Sequence, residues 1–337
     1  MSAEATKDIV IGITLGDAAG IGPEVVVKAL ADRELEKLAS FLLIADAGVV
    51  EKVQKHLGTS LDFRVVEKPV RDNLLRESLN LLDLGNLTGK EFVPGQVNLV
   101  CGQAAVEYIE QAVKLAEQKI INAVVTAPIS KEAINLAGCR WPGHTEFLAH
   151  LTGTRNFAMM LVGGPLRVVL VTTHLALKEV SSRLSEEAIY RTIKLTHRAL
   201  SDYFQISAPR IGVCALNPHA GEGGTFGDEE ERIIAPAVAR AQREPGGVKG
   251  PLSADALFYQ AYQGGFDAVV VMYHDQGLIP LKMVAFEKGV NLTLGLPFVR
   301  TSPDHGTGFD IVGKNVARPD SMREALRLAV ELSLKGS

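Results

Sequence analysis

The chain has 337 residues, of which 47% are hydrophobic and 22% charged. That is the balance of a folded protein of one large α/β domain or two lobes rather than of a disordered chain. Its net charge of −4, from 35 basic and 39 acidic side chains without a Lys/Arg run, argues against a nucleic-acid or membrane surface, so an anionic ligand would need a local cluster of positive groups. Cys101, Cys139 and Cys214 are few and far apart, which disfavours a disulfide framework or a CxxC zinc site and fits a reducing, cytoplasmic setting. Met1 to Asp8 is polar and lacks the apolar stretch of a signal peptide. No apolar run approaches the roughly 18 residues of a membrane span.

In chain order, Ile9 to Thr14 reads as a short β-branched strand. It leads into a glycine-containing turn, Leu15 to Glu24, with Pro23 suited to a first helical position, and then into a helix over Val25 to Leu30. A second strand is expected at Phe41 to Ala45, a long amphipathic helix over Val97 to Lys119 and a buried strand at Ala123 to Thr126. Pro142-Gly143-His144-Thr145-Glu146-Phe147 places His144 and Thr145 at an expected helix start. Strands follow at Ala158 to Val162 and Leu166 to Thr172, then a helix over Ser185 to Phe204 and a strand at Ile211 to Leu216. A helix over Asp228 to Arg243 opens on an acidic run, where negative charge favours the dipole. Glu244 to Pro251 collects breakers and reads as a surface loop. A helix over Ala254 to Gln263, a strand at Ala268 to Met272 and a helix over Ser321 to Leu334 complete the series. Short β-rich runs alternating with longer helices predict a mainly parallel sheet covered on both faces.

Among eight histidines, three directly follow apolar strands: His174 after Val168 to Thr173, His219 after Val213 to Pro218, and His274 after Val269 to Tyr273. Carboxyl ends of parallel strands line ligand crevices, and three imidazoles there could bind one Zn²⁺ with positions left open for substrate. The competing reading is three separate, hydrogen-bonded structural histidines. Asp275 follows His274 and could act as its acidic support. His219 sits among Gly221, Gly223 and Gly224, which would let backbone approach a ligand or simply make a surface loop. His56, His150 and His197 lack such company and read as ordinary surface or packing residues.

His144 and Thr145 offer a helix start that attracts carboxylate or phosphate, or else a plain Thr145 cap. Lys282, Asn291 and Arg300 punctuate an apolar stretch; the two cations could neutralise a carboxylate and a phosphate, or be solvated surface charges. In Thr301 to Lys314, Asp310 could accept both hydroxyls of a ribose and would repel a 2′-phosphate, favouring NAD over NADP; the alternative is a polar surface loop. No GxGxxG follows the first strand, Phe226 stands where the Gly221 to Gly227 run would need its third glycine, and neither a Walker A pattern nor a GxSxG elbow occurs.

Six segments together resemble the 4-hydroxythreonine-4-phosphate dehydrogenase family of vitamin B6 biosynthesis, over about Ile11 to Leu334. They are Gly16 to Glu24, Pro142 to Glu146, Thr172 to His174, Asn217 to Glu222, Met272 to Gly277 and Gly289 to Thr307. The resemblance implies the α/β/α fold of the isocitrate and isopropylmalate dehydrogenases, two lobes with a central cleft. Residues 1–126 plus 281–337 would form the lobe with the cofactor loop, and 127–280 the lobe with the metal ligands and dimer interface. It implies His174, His219 and His274 as metal ligands and, with Lys282, as the catalytic set. His144, Thr145, Lys282, Asn291 and Arg300 match substrate-binding positions. His305, Gly306, Thr307 and Asp310 match the adenosine-binding loop. Two positions depart from the pattern: Ala18 stands where the family usually has proline, and Arg318 where the wider superfamily commonly has asparagine.

The implied cofactors are NAD and a divalent metal, Zn²⁺ favoured with Mg²⁺, Co²⁺ or Mn²⁺ as alternatives. The implied assembly is a homodimer whose partner completes each metal site, with a small phosphorylated hydroxy acid as substrate and neither nucleic acid nor membrane as partner. The implied reaction is oxidation of 4-phosphooxy-L-threonine to a β-keto acid that loses CO₂ to give 3-amino-2-oxopropyl phosphate, on the route to pyridoxal phosphate. A sister group acts on D-threonate or D-erythronate 4-phosphate and gives dihydroxyacetone phosphate and CO₂. Leu278 to Lys282 and Phe226-Gly227-Asp228 resemble that group. A metallohydrolase would also explain three histidines, and a non-catalytic phosphoacid-binding protein would need neither them nor the adenosine loop.

Overall fold

A computed structural model of the chain describes residues 9–74 and 79–335. The polar start, Met1 to Asp8, on which the signal-peptide reading rests, lies outside the described residues. The chain runs through β1 (Val10–Thr14), α1 (Gly22–Leu30), α2 (Arg33–Glu36), β2 (Ser40–Ala45), α3 (Ala47–Leu57), β3 (Phe63–Val65), β4 (Leu79–Asp83), α4 (Leu99–Glu117), β5 (Ala123–Thr126), α5 (Lys131–Leu136) and α6 (His144–Leu151). It continues through β6 (Ala158–Gly163), β7 (Leu166–Leu170), α7 (Leu177–Arg183), α8 (Glu186–Asp202), β8 (Ile211–Cys214), α9 (Ala235–Arg243), β9 (Val248–Leu252), α10 (Ala254–Tyr262), β10 (Ala268–Val271), α11 (His274–Ala285) and β11 (Val290–Leu294). It ends with β12 (Val299–Pro303) and α12 (Asp320–Lys335). Two compact units divide it: the first takes the chain up to Arg155 and again from Leu296 to Lys335, the second takes Asn156–Gly295.

In the first unit the strand order is β3-β4-β2-β1-β5-β12 and every neighbouring pair is parallel. β1, β2 and β5 are buried along their whole length, as strands covered by helices on both faces must be, and their sequences are accordingly near-continuous apolar runs. α4 buries Cys101, Ala104, Ala105, Tyr108, Ile109, Ala112, Val113 and Ala116, the three-and-four spacing of one helix face, and the Asn98 side chain caps its start by accepting from the Val100 N–H. Gly16, directly after β1, has φ +75°, and a Cβ there would lie 2.3 Å from the Pro128 carbonyl oxygen, so the β1 and β5 loops can close on one another only with glycine at this position.

In the second unit the order is β11-β6-β7-β10-β8-β9. β7, β10, β8 and β9 are mutually parallel, but β6 pairs antiparallel with both β7 and β11. Only Gly164 and Pro165 separate β6 from β7, and a two-residue link can join only antiparallel strands. The expected surface loop at Glu244 to Pro251 is a loop only in part, because Val248–Leu252 forms edge strand β9 against β8. An edge position tolerates Pro251, which lacks a donor for a further neighbour.

The expected lobe crossings at 126/127 and 280/281 fall instead at 155/156 and 295/296. α5 and α6 pack on α4 and stay with the first unit. α11 packs on β6, β7 and β10, and β11 pairs with β6, so both stay with the second. All three cysteines are free, and no described helix is long and apolar enough to cross a membrane.

Candidate active site

The three strand-end histidines all lie in the second unit, beyond the carboxyl ends of adjacent parallel strands in the order β7-β10-β8. Those ends are tied together. Thr172 Oγ1 donates to the Met272 carbonyl at 2.6 Å; the Gln276 side chain accepts from the Met272 N–H at 2.8 Å and donates to the Ala215 carbonyl at 2.6 Å. His274 does not end its strand: it opens α11, whose cap is Tyr273. The His174 and His274 rings lie 5.7 Å apart between centroids. His274 Nδ1 is 2.7 Å from Asp275 Oδ1 and His219 Nδ1 is 3.2 Å from Glu222 Oε2. A carboxylate only accepts, so each ring donates from Nδ1, which leaves Nε2 as the ring nitrogen not engaged by that carboxylate.

An imidazole whose Nδ1 is held by a carboxylate suits a divalent transition metal. The structure brings His174 and His274 together but does not gather the trio: among the described residues, no three His, Cys, Asp or Glu side chains form a metal-holding group within the single chain. His219 stands on the Asn217–Gly227 loop with φ +54°, its ring edge-on to Phe226 at 6.1 Å.

His144, Thr145 and Arg300 belong to the first unit. Arg300 is 1% exposed on β12, where it is in register with Val124 of β5, and its Nη2 donates to Thr126 Oγ1 at 2.6 Å. Burial pulls the guanidinium pKa down to about 9, with the Glu146 carboxylate pulling the other way, so the group is charged at neutral pH. His144 keeps some residue surface, yet its Nε2 is enclosed and has no hydrogen-bond partner. Burial first and the Arg300 charge second push its pKa well below the usual imidazole value, so it is neutral. α6 begins at His144 as expected. Its cap is Gly143, which has no side chain to offer, so Thr145 is not the cap but a buried residue of the first turn. A Cβ on Gly143 would lie 3.6 Å from Glu146 Oε2 and 3.7 Å from Lys131 Cε, so a carboxylate and a lysine side chain both flank this helix start. A buried guanidinium, an uncapped helix N-terminus and an unpartnered imidazole nitrogen together form an environment for an anion.

Lys282 and Asn291 are in the second unit. Lys282 is in the last turn of α11 with its ammonium 5.8 Å from the Phe286 ring centre. Asn291 lies on β11 opposite Leu161, and its Oδ1 is enclosed without a hydrogen-bond partner.

The expected cofactor loop follows β12. The Ile21 N–H donates to the Thr307 carbonyl at 2.8 Å, which joins this loop to the one after β1. Farther along, Lys28 Nζ donates to the carbonyls of Asn315 (3.2 Å) and Ala317 (2.9 Å), while Glu24 Oε1 accepts from Lys28 (2.7 Å) and from the Ala317 N–H (3.0 Å). His305 Nδ1 donates to the Gly306 carbonyl at 3.1 Å, which makes Nε2 an acceptor; that atom is enclosed and unpartnered. Asp310 is exposed on the short turn Phe309–Ile311.

Two buried polar groups escaped the sequence reading although they stand at strand ends. The Thr14 hydroxyl and Asp17 Oδ2 are enclosed without partners, in the first unit and beside the Gly16 turn. Asp17 Oδ1 accepts from the Ala19 N–H at 2.9 Å, and burial raises the carboxyl pKa against the opposing pull of backbone donors at Ala19 and Ser130. The signal was available: a carboxylate between glycines immediately past a parallel strand stands where ligands bind in open α/β sheets.

The model of the family described as Pyridoxal phosphate biosynthetic protein PdxA matches residues 37–329. The chain is 47% identical to the D-threonate 4-phosphate dehydrogenase of Cupriavidus necator, over 97% of this chain and 98% of that protein. It is 47% identical to the 4-hydroxythreonine-4-phosphate dehydrogenase of Geobacter metallireducens, over 97% and 96%. A crystal structure of 4-hydroxythreonine-4-phosphate dehydrogenase from Klebsiella pneumoniae shares the mixed α/β fold at a TM-score of 0.89 and 40% identity, covering 97% of this chain and 98% of that one. On these matches, which span nearly the whole chain, it belongs to the PdxA family and is a dehydrogenase of that family.

Proposed function

We propose that the chain oxidises a four-carbon, 4-phosphorylated hydroxy acid, with 4-phosphooxy-L-threonine as the first candidate and pyridoxal phosphate synthesis as its setting. The observation that carries this reading is the surroundings of Arg300: a buried charged guanidinium beside a neutral His144 whose Nε2 has no partner, at a helix start. A buried polar atom left unpaired costs roughly 1–3 kcal/mol, a cost a bound anionic substrate would remove. Arg300 and the α6 start hold one anionic end, and Thr145 and neutral His144 orient it. In the second unit, Asn291, whose enclosed Oδ1 has no hydrogen-bond partner, and Lys282 are the candidate substrate-binding residues.

The loop from His305 to Asp310 takes NAD. Its fit rests on the enclosed acceptor at His305 Nε2, suited to a donor such as the amine of adenine, and on an exposed Asp310 for the ribose hydroxyls. His174, His219 and His274 hold the divalent metal, Zn²⁺ by the all-nitrogen donor set. When bound, the metal supplies Lewis acidity to the substrate oxygen and the nicotinamide takes up the electrons of the oxidation. The two units are, in this reading, the lobes of an isocitrate-dehydrogenase-type fold, and three unpaired cysteines suit a cytoplasmic protein.

The chain pairs with a second copy through the second unit, and the trio is completed across that interface. Ile279, Met283 and Phe286 of the α11 region are exposed, as are Tyr259 and Tyr262 of α10, an apolar concentration of the kind that marks a partner surface. Sedimentation of Met283→Glu should give monomers where the parent gives dimers; a parent that sediments as a monomer removes this part of the reading.

A second reading is D-threonate 4-phosphate, supported by an identity to the Cupriavidus enzyme equal to that to the Geobacter one, 47% each. The two acids differ chiefly by amine against hydroxyl. NAD reduction with each phosphate and with each unphosphorylated acid separates them. Turnover of 4-phosphooxy-L-threonine supports the first reading. Turnover of D-threonate 4-phosphate alone replaces it with the second. Turnover that does not need the phosphate contradicts both.

A further inference from the structure

The loop that carries His219 is held in an unfavourable shape. His219, Ala220 and Glu222 have φ of +54°, +56° and +44°, a left-handed run that side chains rarely adopt. Such a run persists only where its surroundings hold it. Here the holding group is a carboxylate inside the protein. Glu230 is 3% exposed, on a π-helical turn over Glu230–Ile234, a rare geometry found often at functional positions. Its Oε1 accepts from the backbone N–H groups of Leu216 and Asn217, each at 2.8 Å, immediately before the left-handed run. Its Oε2 accepts from Asn217 Nδ2 at 3.0 Å.

The same amide nitrogen donates to Glu229 Oε2 at 2.8 Å, and Ser181 Oγ donates to Glu229 Oε1 at 2.5 Å. The loop closes tightly on these groups. A Cβ on Gly221 would lie 2.8 Å from Glu230 Oε2, and one on Gly227 would lie 2.5 Å from Asn217 Nδ2 and 2.6 Å from Glu229 Oε2. Folding stability alone is a weak reason for a buried carboxylate, because a well-packed apolar side chain usually serves at least as well. What the carboxylate adds is direction: it fixes two successive N–H groups and so the path of the backbone two residues before His219.

We propose that Glu230, acting with Asn217 and Glu229, is a positioning residue that sets the His219 imidazole for metal ligation. The inference rests on the reading of His219 as a metal ligand. Neither Glu230 nor Asn217 touches the metal; both act through the loop.

The test is titration of Zn²⁺ into the metal-stripped full-length protein, followed by calorimetry, on the parent, His219→Ala, Glu230→Gln and Gly227→Ala, with thermal unfolding of each metal-free protein in parallel. Glu230→Gln keeps the volume but turns a donor toward the Leu216, Asn217 N–H side or the Asn217 amide, so one contact must break. The expected result is Zn²⁺ affinity lowered roughly 10- to 100-fold in Glu230→Gln, the range seen when groups supporting a metal ligand are removed. NAD reduction lost at limiting Zn²⁺ should return at excess Zn²⁺. Parent-like affinity in Glu230→Gln, with weakened binding in His219→Ala, overturns the positioning role and leaves the metal site standing. Parent-like affinity in His219→Ala overturns the metal reading and this inference with it. If Glu230→Gln does not fold, Gly227→Ala disturbs the same contacts from the loop rim: weakened Zn²⁺ binding there supports the proposal and unchanged binding overturns it.

Discussion

Arg300 sits where a cation loses nearly all its hydration, on a strand buried along its length, and its Nη2 donates to the Thr126 hydroxyl. A planar fork of N–H donors suits a carboxylate or phosphate, the role proposed for it here. Arg300→Lys keeps the charge and loses the fork. A hydrogen bond to a charged group is worth about 1.5–3 kcal/mol, so KM for the phosphorylated acid should rise roughly 10- to 150-fold. Steady-state kinetics check it; an unchanged KM would remove Arg300 from the binding site. Asp17 carries a different signature. Burial raises its carboxyl pKa above 3.8, so the folded state binds the proton more tightly than the unfolded chain. Stability is therefore lost as pH rises from about 3.8 through the folded pKa. Asp17→Asn removes that loss. Its melting temperature should match the parent's below about pH 3.8 and exceed it near neutrality; a variant no more stable than the parent at neutral pH would contradict the assignment.

At the scale of elements, α1 does more than cover the sheet. Its Glu24 and Lys28 reach the segment that follows the loop proposed to take NAD, with Lys28 donating to two carbonyls and Glu24 accepting from the Ala317 N–H. Lys28→Met keeps the aliphatic stem and releases both carbonyls. Affinity for NAD, followed by fluorescence quenching, should fall several-fold while Zn²⁺ affinity stays unchanged; equal loss of both would point to general unfolding instead.

The same scale shows what was legible in the sequence. β1, β2 and β5 stand out as apolar runs, and the paired loops at Gly16 and His305 are marked by glycine and small polar groups. α11 was not legible, though it starts at His274 and ends near Lys282, because Gly277 and Pro280 both read as breakers. Pro280 costs a helix interior about 3 kcal/mol or more. Packing outweighs that: Gly277 lets the helix lie so close that a Cβ would be 2.4 Å from Val168 Cγ1, and Leu278, Leu281 and Ala285 are buried beside it. β12 was hidden for the opposite reason. Arg300, Thr301 and Ser302 make it polar, yet it is buried throughout. Tertiary contacts, which local pattern cannot carry, decide both elements. The site followed the same rule. His144 and Arg300 could be named separately, but the charge of one acting on the other appears only once α6 and β12 are folded into the same unit.

For the molecule as a whole, the residues proposed for the reaction are distributed over both units: Arg300, His144, Thr145 and the His305–Asp310 loop in the first, the three histidines, Lys282 and Asn291 in the second. The chain's net charge of −4 gives no general attraction for an anion, so the proposed binding depends on individual cations such as Arg300. In the proposed reading turnover needs residues of both units, and its dependence on a metal rests on the histidines. The most direct measurement determines metal content and NAD reduction on the same preparations of the parent and of His274→Ala. The account predicts a divalent metal in stoichiometric amount and oxidation of the phosphorylated acid in the parent, both lost together in the variant while the fold is retained. Undiminished oxidation by a metal-free His274→Ala protein would contradict it.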